Sequence, residues 1–172
     1  MIKKQIAIYP ISANPPTWGH ANILLRASSL FDHVYWAAAV NANKKYIFSA
    51  ENRIQMMQEY VKHYQLKNIS VESYQGATVR YAEKINAKVI IKGLRNMADF
   101  QGEIEQATGN RGINETIETV LMFAPPDLSV VSSSLVRELA LLGENIEAYV
   151  LKEVAAMVSD FIAEYNLKLP EN

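Results

Sequence analysis

Short strand-like segments alternate five times with stretches of helical periodicity, and this alternation limits the folds that the chain can adopt. The strand candidates are QIAIYP, VYWAAAV, NISVES, AKVIIKG and IETVLMFA. The second is apolar throughout, which is usual for strands of a parallel sheet that is covered on both faces. Strands that alternate with helices are typical of a doubly wound sheet. We therefore expect an α/β fold: a Rossmann-like, doubly wound, five-stranded parallel sheet with helices on both faces and further C-terminal helices.

The helical segments indicate which side chains pack inward. Helices are predicted at residues 18–31, after a cap at Ser49, and at 78–85, 97–109, 133–142 and 152–166. Spacing of three and four residues predicts the apolar faces of three of them. These faces are Ile23, Leu24, Ala27, Leu30 and Phe31; Ile54, Met57, Val61 and Tyr64; and Val154, Val158, Phe161, Ile162 and Tyr165. Because no linker or repeat interrupts the pattern, we expect residues 1–172 to form one domain.

The composition excludes several classes of function. With 17 basic and 18 acidic residues the formal net charge is −1, so we expect no nucleic-acid partner. The absence of cysteine rules out disulfides, thiolate nucleophiles and cysteine-ligated metals. No segment approaches the roughly 20 apolar residues of a membrane helix. The apolar run at the N-terminus ends at Pro10, which is too short for a signal peptide. We expect a cytoplasmic protein with no membrane partner.

Four of the predicted strands are followed by loops rich in cations, hydroxyls or histidine. These loops contain SANPPTWGH, NANKK, GLRNMADF and PPDLSVVSSS. Ligands of doubly wound sheets bind at the carboxyl ends of the strands, where these loops converge. Charge-assisted hydrogen bonds from such groups are what a polyphosphate requires. The sequence therefore predicts a phosphate-binding crevice at this edge of the sheet.

His20 lies in the first turn of the first predicted helix, directly after Gly19. The unpaired N–H groups and the dipole at a helix N-terminus favour an anion, to which the imidazole would add a donor. A lone histidine at a helix start is more often simply exposed, but the proline-stiffened loop after a strand favours binding. The chain has neither a P-loop nor a Gly-x-Gly-x-x-Gly segment, so these two modes of nucleotide binding are excluded.

Thr17-Trp18-Gly19-His20 after the first strand resembles the motif of the α/β nucleotidyltransferase superfamily. Further segments, KGLRNMADF, GNR, ETVLMF and SSSLVRELA, follow in the order and spacing of one family. On these segments the chain resembles the bacterial phosphopantetheine adenylyltransferase family. The resemblance implies adenylyl transfer from ATP to 4′-phosphopantetheine, with dephospho-CoA and pyrophosphate as products. It also implies Mg²⁺ carried by ATP rather than by protein ligands, and a homo-oligomer, which is a hexamer in that family.

The resemblance also assigns roles to individual residues. The catalytic residues would be His20, Lys44 and Arg95. ATP would be bound by Ser12, Ala13, His20, Gly93, Leu94, Arg95, Glu103, Leu128, Ser129, Val130, Val131, Ser132, Ser133 and Ser134. The acceptor would be bound by Ser12, Lys44, Thr78, Lys92, Asn110 and Glu138.

Several positions depart from the family pattern, mostly on the acceptor side. Ile11 replaces a glycine, and we expect its β-branched side chain to conflict with positive φ and close backbone approach. Lys92 replaces an arginine, Gly102 a tyrosine, and Thr78 a larger apolar residue. Two other functions therefore stay open: adenylyl transfer to another small phosphorylated acceptor, and nucleotide or CoA binding without turnover.

Overall fold

Five parallel strands form one sheet in the order β3-β2-β1-β4-β5, in a computed structural model that describes residues 4–41 and 43–166. The strands are β1 Ile6–Ile11, β2 His33–Val40, β3 Ile69–Gln75, β4 Val89–Leu94 and β5 Glu118–Phe123. Beginning at β1, the chain adds β2 and β3 on one side and then returns to add β4 and β5 on the other. This order confirms the predicted doubly wound sheet.

Six α-helices accompany the sheet within the described residues. They are α1 Trp18–Leu30, α2 Ala50–His63, α3 Thr78–Lys84, α4 Met97–Ile113, α5 Ser133–Leu141 and α6 Lys152–Asn166. The predicted positions are confirmed to within a few residues. The exception is α4, which continues four residues beyond its predicted end and stops where the Asn114 N–H donates to Asn110 O. A short 3₁₀ turn at Pro126–Leu128 was not predicted. None of the described helices is both long and apolar enough to cross a membrane.

Helices cover both faces of the sheet, as the fold class requires. Successive residues of β1 belong to two different core clusters: Ala7 and Tyr9 pack with α1, α2, α5 and α6, and Ile8 packs with α3. This alternation follows from the twofold side-chain period of a strand. Because β1 is central and both of its faces are covered, almost its whole length is buried.

Two of the predicted helix faces need correction. Leu30 is exposed, because α1 ends there and the following Phe31 packs against the core instead. In α2 the buried face is Arg53, Met56, Met57 and Tyr60, whereas Ile54 lies only partly inside. A charged residue occupies this inward position because backbone carbonyls satisfy its guanidinium. In α6, Val154, Val158 and Ile162 are buried as predicted, and the side chain of Tyr165 lies outside the described residues.

Tyr60 connects three separate parts of the chain through its buried hydroxyl. The hydroxyl donates to Pro16 O at 3.2 Å and accepts from the Leu151 N–H at 3.0 Å. These bonds hold α2 against the loop before α1 and against the segment that leads into α6. The loop that precedes His20 is thereby tied to the core.

Replacing Tyr60 with phenylalanine should lower the free energy of unfolding by about 1–3 kcal/mol, because it leaves a buried carbonyl and a buried N–H unpaired. Urea denaturation at pH 7 measures the change. Tyr64→Phe is the matched control, since the Tyr64 hydroxyl makes no hydrogen bond within the described part of the chain. Equal effects of the two substitutions would contradict the role of the Tyr60 hydroxyl.

Candidate active site

The carboxyl ends of the strands enclose a cavity of about 1050 Å³. All four loops predicted to converge at this edge contribute to its lining, and the end of β3 contributes as well. Of the residues assigned to ligand binding, the lining contains Ser12, His20, Lys44, Thr78, Lys92, Gly93, Arg95, Glu103, Val131, Ser132, Ser133 and Ser134. The predicted crevice therefore exists, and it brings the assigned catalytic side chains to one place.

Seven assigned residues lie outside this lining: Ala13, Leu94, Leu128, Ser129, Val130, Asn110 and Glu138. Ala13 and Leu94 are buried in the fold. Asn110 lies a full turn of α4 beyond Gln106, the last residue of that helix in the lining, and Glu138 is exposed on α5. The roles that the resemblance gives to Asn110 and Glu138 stay predictions.

The loop after β1 has a different conformation from the one expected. Ile11 is the last residue of β1 and is buried, so its β-branched side chain meets no conflict. The residue with positive φ is Ala13, at 50°. The expected conflict with positive φ at Ile11 was therefore wrong, because the strand continues through the position where the family has glycine. Ile11 does line the cavity, and the expected effect of its side chain on close backbone approach stays a prediction.

Side chains from distant elements hold the carbonyls of this loop. Arg137 Nη1 donates to Asn14 O at 2.6 Å, and Ser133 Oγ donates to Pro15 O at 2.7 Å. The Asn14 side chain in turn accepts from the Phe48 N–H at 3.2 Å. Arg137 was not among the assigned residues, yet its half-buried side chain lines the cavity. The loop that leads to His20 is thus fixed against α5.

The three consecutive serines begin α5 at the cavity. Ser132 Oγ caps the helix by accepting from the Leu135 N–H at 3.1 Å. Ser133 binds Pro15, and Ser134 accepts from Arg137 Nη2 at 3.2 Å. The side chains are thus engaged within the protein. The first-turn N–H groups of a helix have no intrahelical partners, and those of Ser133 and Ser134, unlike that of Leu135, are not used by the Ser132 cap.

The His20 side chain is held in one protonation form. Its Nδ1 accepts from the Thr17 N–H at 3.1 Å and lies 2.9 Å from Thr17 Oγ1. An acceptor Nδ1 places the single ring proton on Nε2. Burial and, to a smaller extent, the positive charge of Arg95 lower the pKa of the imidazole to about 4. At neutral pH, His20 is therefore an uncharged donor through Nε2.

Arg95 is oriented by a carboxylate that was not assigned a role. Its Nε and Nη2 donate to the two carboxylate oxygens of Asp99 at 2.9 and 3.0 Å. These bonds hold the pKa of Asp99 below its usual value. Asp99 follows Arg95 by four residues, but Arg95 precedes the first residue of α4, so the spacing rule for pairs within a helix does not predict this contact. A guanidinium held in this fork keeps donors for a ligand in the cavity.

Lys92 is enclosed by two side chains of α4. Its Nζ lies 3.0 Å from Glu103 Oε2 and donates to Gln106 Oε1 at 2.8 Å. The Glu103 oxygen is buried, and its contact with Lys92 is an ion pair without hydrogen-bond geometry. The preceding position, Gly102, faces open space, since a Cβ there would meet no atom within 4 Å. Glu103 is thus engaged with Lys92.

Positive charge dominates the cavity, although the whole chain carries a net charge of −1. Its lining has five basic residues, Lys44, Lys45, Lys92, Arg95 and Arg137, and two acidic ones, Asp99 and Glu103. Both carboxylates lie against a cation. No group of three His, Asp or Glu residues within 4–41 and 43–166 is arranged to hold a metal ion. The excess of positive charge suits the site to a polyanion.

The fold and this site together define a nucleotidyltransferase, and the sequence comparisons agree. The profile of the cytidylyltransferase-like family matches residues 8–139. The solved nicotinic acid mononucleotide adenylyltransferase of Plasmodium falciparum, complexed with NaAD, superimposes with a TM-score of 0.69 at 17% identity, covering 96% of this chain and 97% of that one. A lipopolysaccharide core biosynthesis protein from Thermoplasma volcanium gives 0.53 at 16% identity, covering 72% of this chain and 99% of that one. At these identities the structures support the fold alone.

Relatives of higher identity specify the family. The phosphopantetheine adenylyltransferase of Synechococcus elongatus is 40% identical over 154 residues, which cover 90% of this chain and 92% of that protein. The protein of the same name from Gloeothece citriformis is 42% identical over 150 residues, covering 87% and 94%. The chain belongs to the phosphopantetheine adenylyltransferase family.

The protonation of His20 should depend on pH in a defined direction. NMR titration of the imidazole should give a pKa of about 4, with the resonance assigned by its loss in His20→Asn. Arg95→Met should raise this pKa but leave it below 6.5, because burial is the larger cause. A pKa at or above 6.5 in the unsubstituted protein would contradict the neutral imidazole.

The same shift predicts how stability responds to acid. Between the unfolded pKa of about 6.5 and the folded value of about 4, the unfolded chain binds a proton at His20 that the folded chain does not. Acidification through this window should cost on the order of 1–3 kcal/mol, a component that His20→Asn lacks. Urea denaturation of both proteins at pH 7 and pH 4.5 measures the difference.

Proposed function

We propose that the chain transfers the adenylyl group of ATP to 4′-phosphopantetheine and forms dephospho-CoA and pyrophosphate. The observation that carries the proposal is a neutral, donating imidazole, His20, in a positively charged cavity at the switch point of the sheet. Relatives at about 40% identity over most of the chain bear the name of this enzyme.

The chemistry requires positioning and charge stabilisation but no general base. An ionised phosphate oxygen of the acceptor attacks the α-phosphorus of ATP, the bond from that phosphorus to the bridging oxygen breaks, and pyrophosphate leaves with the electron pair. Charge develops on the phosphoryl oxygens in the transition state, where fixed donors are most effective. A neutral His20 suits this role, because it donates through Nε2 and takes up no proton.

The nucleotide side of the site is proposed to lie between β4 and the start of α5. Arg95, oriented by Asp99, binds the phosphates, and the N–H groups at Ser133 and Ser134 face them from the helix N-terminus. Gly93 of β4 lines the cavity, and a Cβ there would lie 3.4 Å from the Tyr9 hydroxyl. The glycine adds no side chain to this part of the cavity, where the nucleotide is proposed to bind.

The acceptor side is proposed to include Ser12, Lys44, Thr78 and Lys92. Lys44 is exposed on the turn between β2 and α2, from which it can bring the acceptor phosphate toward the α-phosphate. Thr78 pairs with the Tyr74 hydroxyl at 2.7 Å, so a polar pair occupies the position where the family has an apolar side chain. Lys92, held by Glu103 and Gln106, keeps the positive charge of the arginine that it replaces.

Mg²⁺ is proposed to enter with ATP and to neutralise the charge of the leaving pyrophosphate. The described residues fit this arrangement, because both carboxylates of the cavity are already paired with cations and would make a poor cage.

A homo-oligomer, a hexamer by family resemblance, and a cytoplasmic location complete the proposal. Apolar side chains on α4 and on the edge strand β5 support association: Met97, Ile104, Ile113, Val120 and Phe123 are exposed.

Pyrophosphate release from Mg-ATP, measured with and without 4′-phosphopantetheine, tests the function. We expect acceptor-dependent release, and a loss of about 10²–10³-fold in kcat for His20→Asn, since one transition-state donor is removed. His33→Asn is the matched control, because His33 begins β2, at the end of the strand away from the cavity, and contacts Ser70.

Three outcomes would change the proposal. If pyrophosphate is released only with a different phosphorylated compound, that compound is the acceptor. Binding of ATP without release from any acceptor would indicate a protein that has lost turnover. Full activity of His20→Asn would contradict the role of the imidazole.

A further inference from the structure

Arg53 is a charged residue in the interior of the protein, with only 1% of its surface exposed. Arginine is almost never fully buried unless it is paired, and it stays protonated in proteins. Within residues 4–41 and 43–166, however, no carboxylate lies within ion-pair distance of its guanidinium. Its binding partners are backbone carbonyls and an aromatic ring.

The carbonyls belong to three different segments at the cavity edge of the sheet. Arg53 Nη1 donates to Ser12 O at 2.8 Å and to Ala39 O at 2.9 Å, and Nε donates to Ser49 O at 3.4 Å. Ser12 follows β1, Ala39 lies near the end of β2, and Ser49 caps α2. One guanidinium therefore connects the ends of two neighbouring strands and the helix that follows them.

Tyr46 continues this network toward the turn that carries Lys44. Its ring lies 4.1 Å from the guanidinium carbon of Arg53. Its hydroxyl donates to Ala39 O at 3.1 Å and accepts from the Asn41 N–H at 3.3 Å. The turn itself is closed by the Lys44 N–H, which donates to Asn41 O. Both ends of the segment that bears Lys44 are thus attached to Arg53, directly or through Tyr46.

We propose that Arg53 is a positioning residue for the acceptor half of the site: it fixes Ser12 and the Lys44 turn without entering the cavity. The inference rests on the proposed function for its kinetic part. Arg53 is absent from the cavity lining, whereas Ser12, Ala39, Asn41, Lys44 and Tyr46 all belong to it. The nucleotide side, by contrast, is held by Asp99 and Arg137, which do not contact Arg53.

Arginine is suited to this position because of its shape. The planar guanidinium can direct several N–H groups to separate carbonyls and still stack on a ring, whereas an ammonium acts as a compact point charge. Arg53→Lys keeps the charge and loses the fork. Arg53→Met keeps most of the volume and leaves Ser12 O and Ala39 O without this donor.

Steady-state kinetics should separate positioning from a merely structural role. Arg53→Met is expected to raise the KM for 4′-phosphopantetheine and lower kcat by about tenfold each, with a smaller change in the KM for ATP, since the bonds to two carbonyls are lost and each is worth about tenfold. Arg53→Lys should lie between this variant and the unsubstituted protein. Arg111→Met is the matched control, because Arg111 is exposed and pairs only with Glu118 in the described residues.

Hydrogen exchange tests the same inference without catalysis. Amides of residues 41 and 43–48 should exchange at least tenfold faster in Arg53→Met than in Arg111→Met, while those of α5 stay unchanged. If Arg53→Met fails to fold, Tyr46→Phe replaces it, since this variant removes only the hydroxyl that binds Ala39 and Asn41. If these amides exchange at an unchanged rate in the folded variant, the proposal is overturned. This outcome does not depend on whether the unsubstituted protein is active. Unchanged KM for the acceptor in an active protein would overturn its kinetic part.

Discussion

The order of the strands reverses beside β1, and this reversal determines where a ligand can bind. β2 lies on one side of β1 and β4 on the other. The helix that leads to β2, α1, and the helix that leads to β4, α3, pack on opposite faces of the sheet. A crevice opens at such a point because no connection crosses it. The loop from Ser12 to Thr17 and the start of α1 lie at this crevice, with His20 in the first turn of the helix. The position of the imidazole is therefore a consequence of the topology.

The electrostatics of the cavity follow from how each charged group is held. Two carboxylates orient two cations, Asp99 on Arg95 and Glu103 on Lys92, while the neutral His20 donates without carrying charge. The remaining excess of positive charge comes from Lys44, Lys45 and Arg137. A site of this kind attracts polyphosphate, yet it avoids a cluster of unpaired cations, each of which would be costly to bury. Lys92 and Arg95 are paired with carboxylates, Arg137 is bound to a backbone carbonyl, and Lys44 and Lys45 are exposed. The cavity can therefore be positively charged without burying an unpaired cation.

The fold and much of the site could be predicted from sequence, because strand–helix alternation and the motifs at strand ends are local patterns. His20 lies in the predicted crevice for this reason, and its role at the phosphates stays a prediction. The expected positive φ at Ile11 was wrong, since whether a strand continues through a position depends on pairing with neighbouring strands. Arg53 was missed because a charged residue in a helical pattern is expected to face solvent. Its burial depends on hydrogen bonds to carbonyls of distant segments, which the helical pattern does not contain. Asp99 lay within a recognised motif, but its partnership with Arg95 became clear only from the geometry.

A crystal structure with a non-hydrolysable ATP analogue would test the central claim, that the crevice beside β1 is a phosphate site built around a neutral histidine. The account predicts phosphate oxygens within about 3 Å of His20 Nε2 and of the N–H groups at Ser133 and Ser134, with Nδ1 still bound to Thr17. Phosphates placed elsewhere, or an imidazole turned away from Thr17 with its Nε2 more than about 4 Å from the nucleotide, would contradict it.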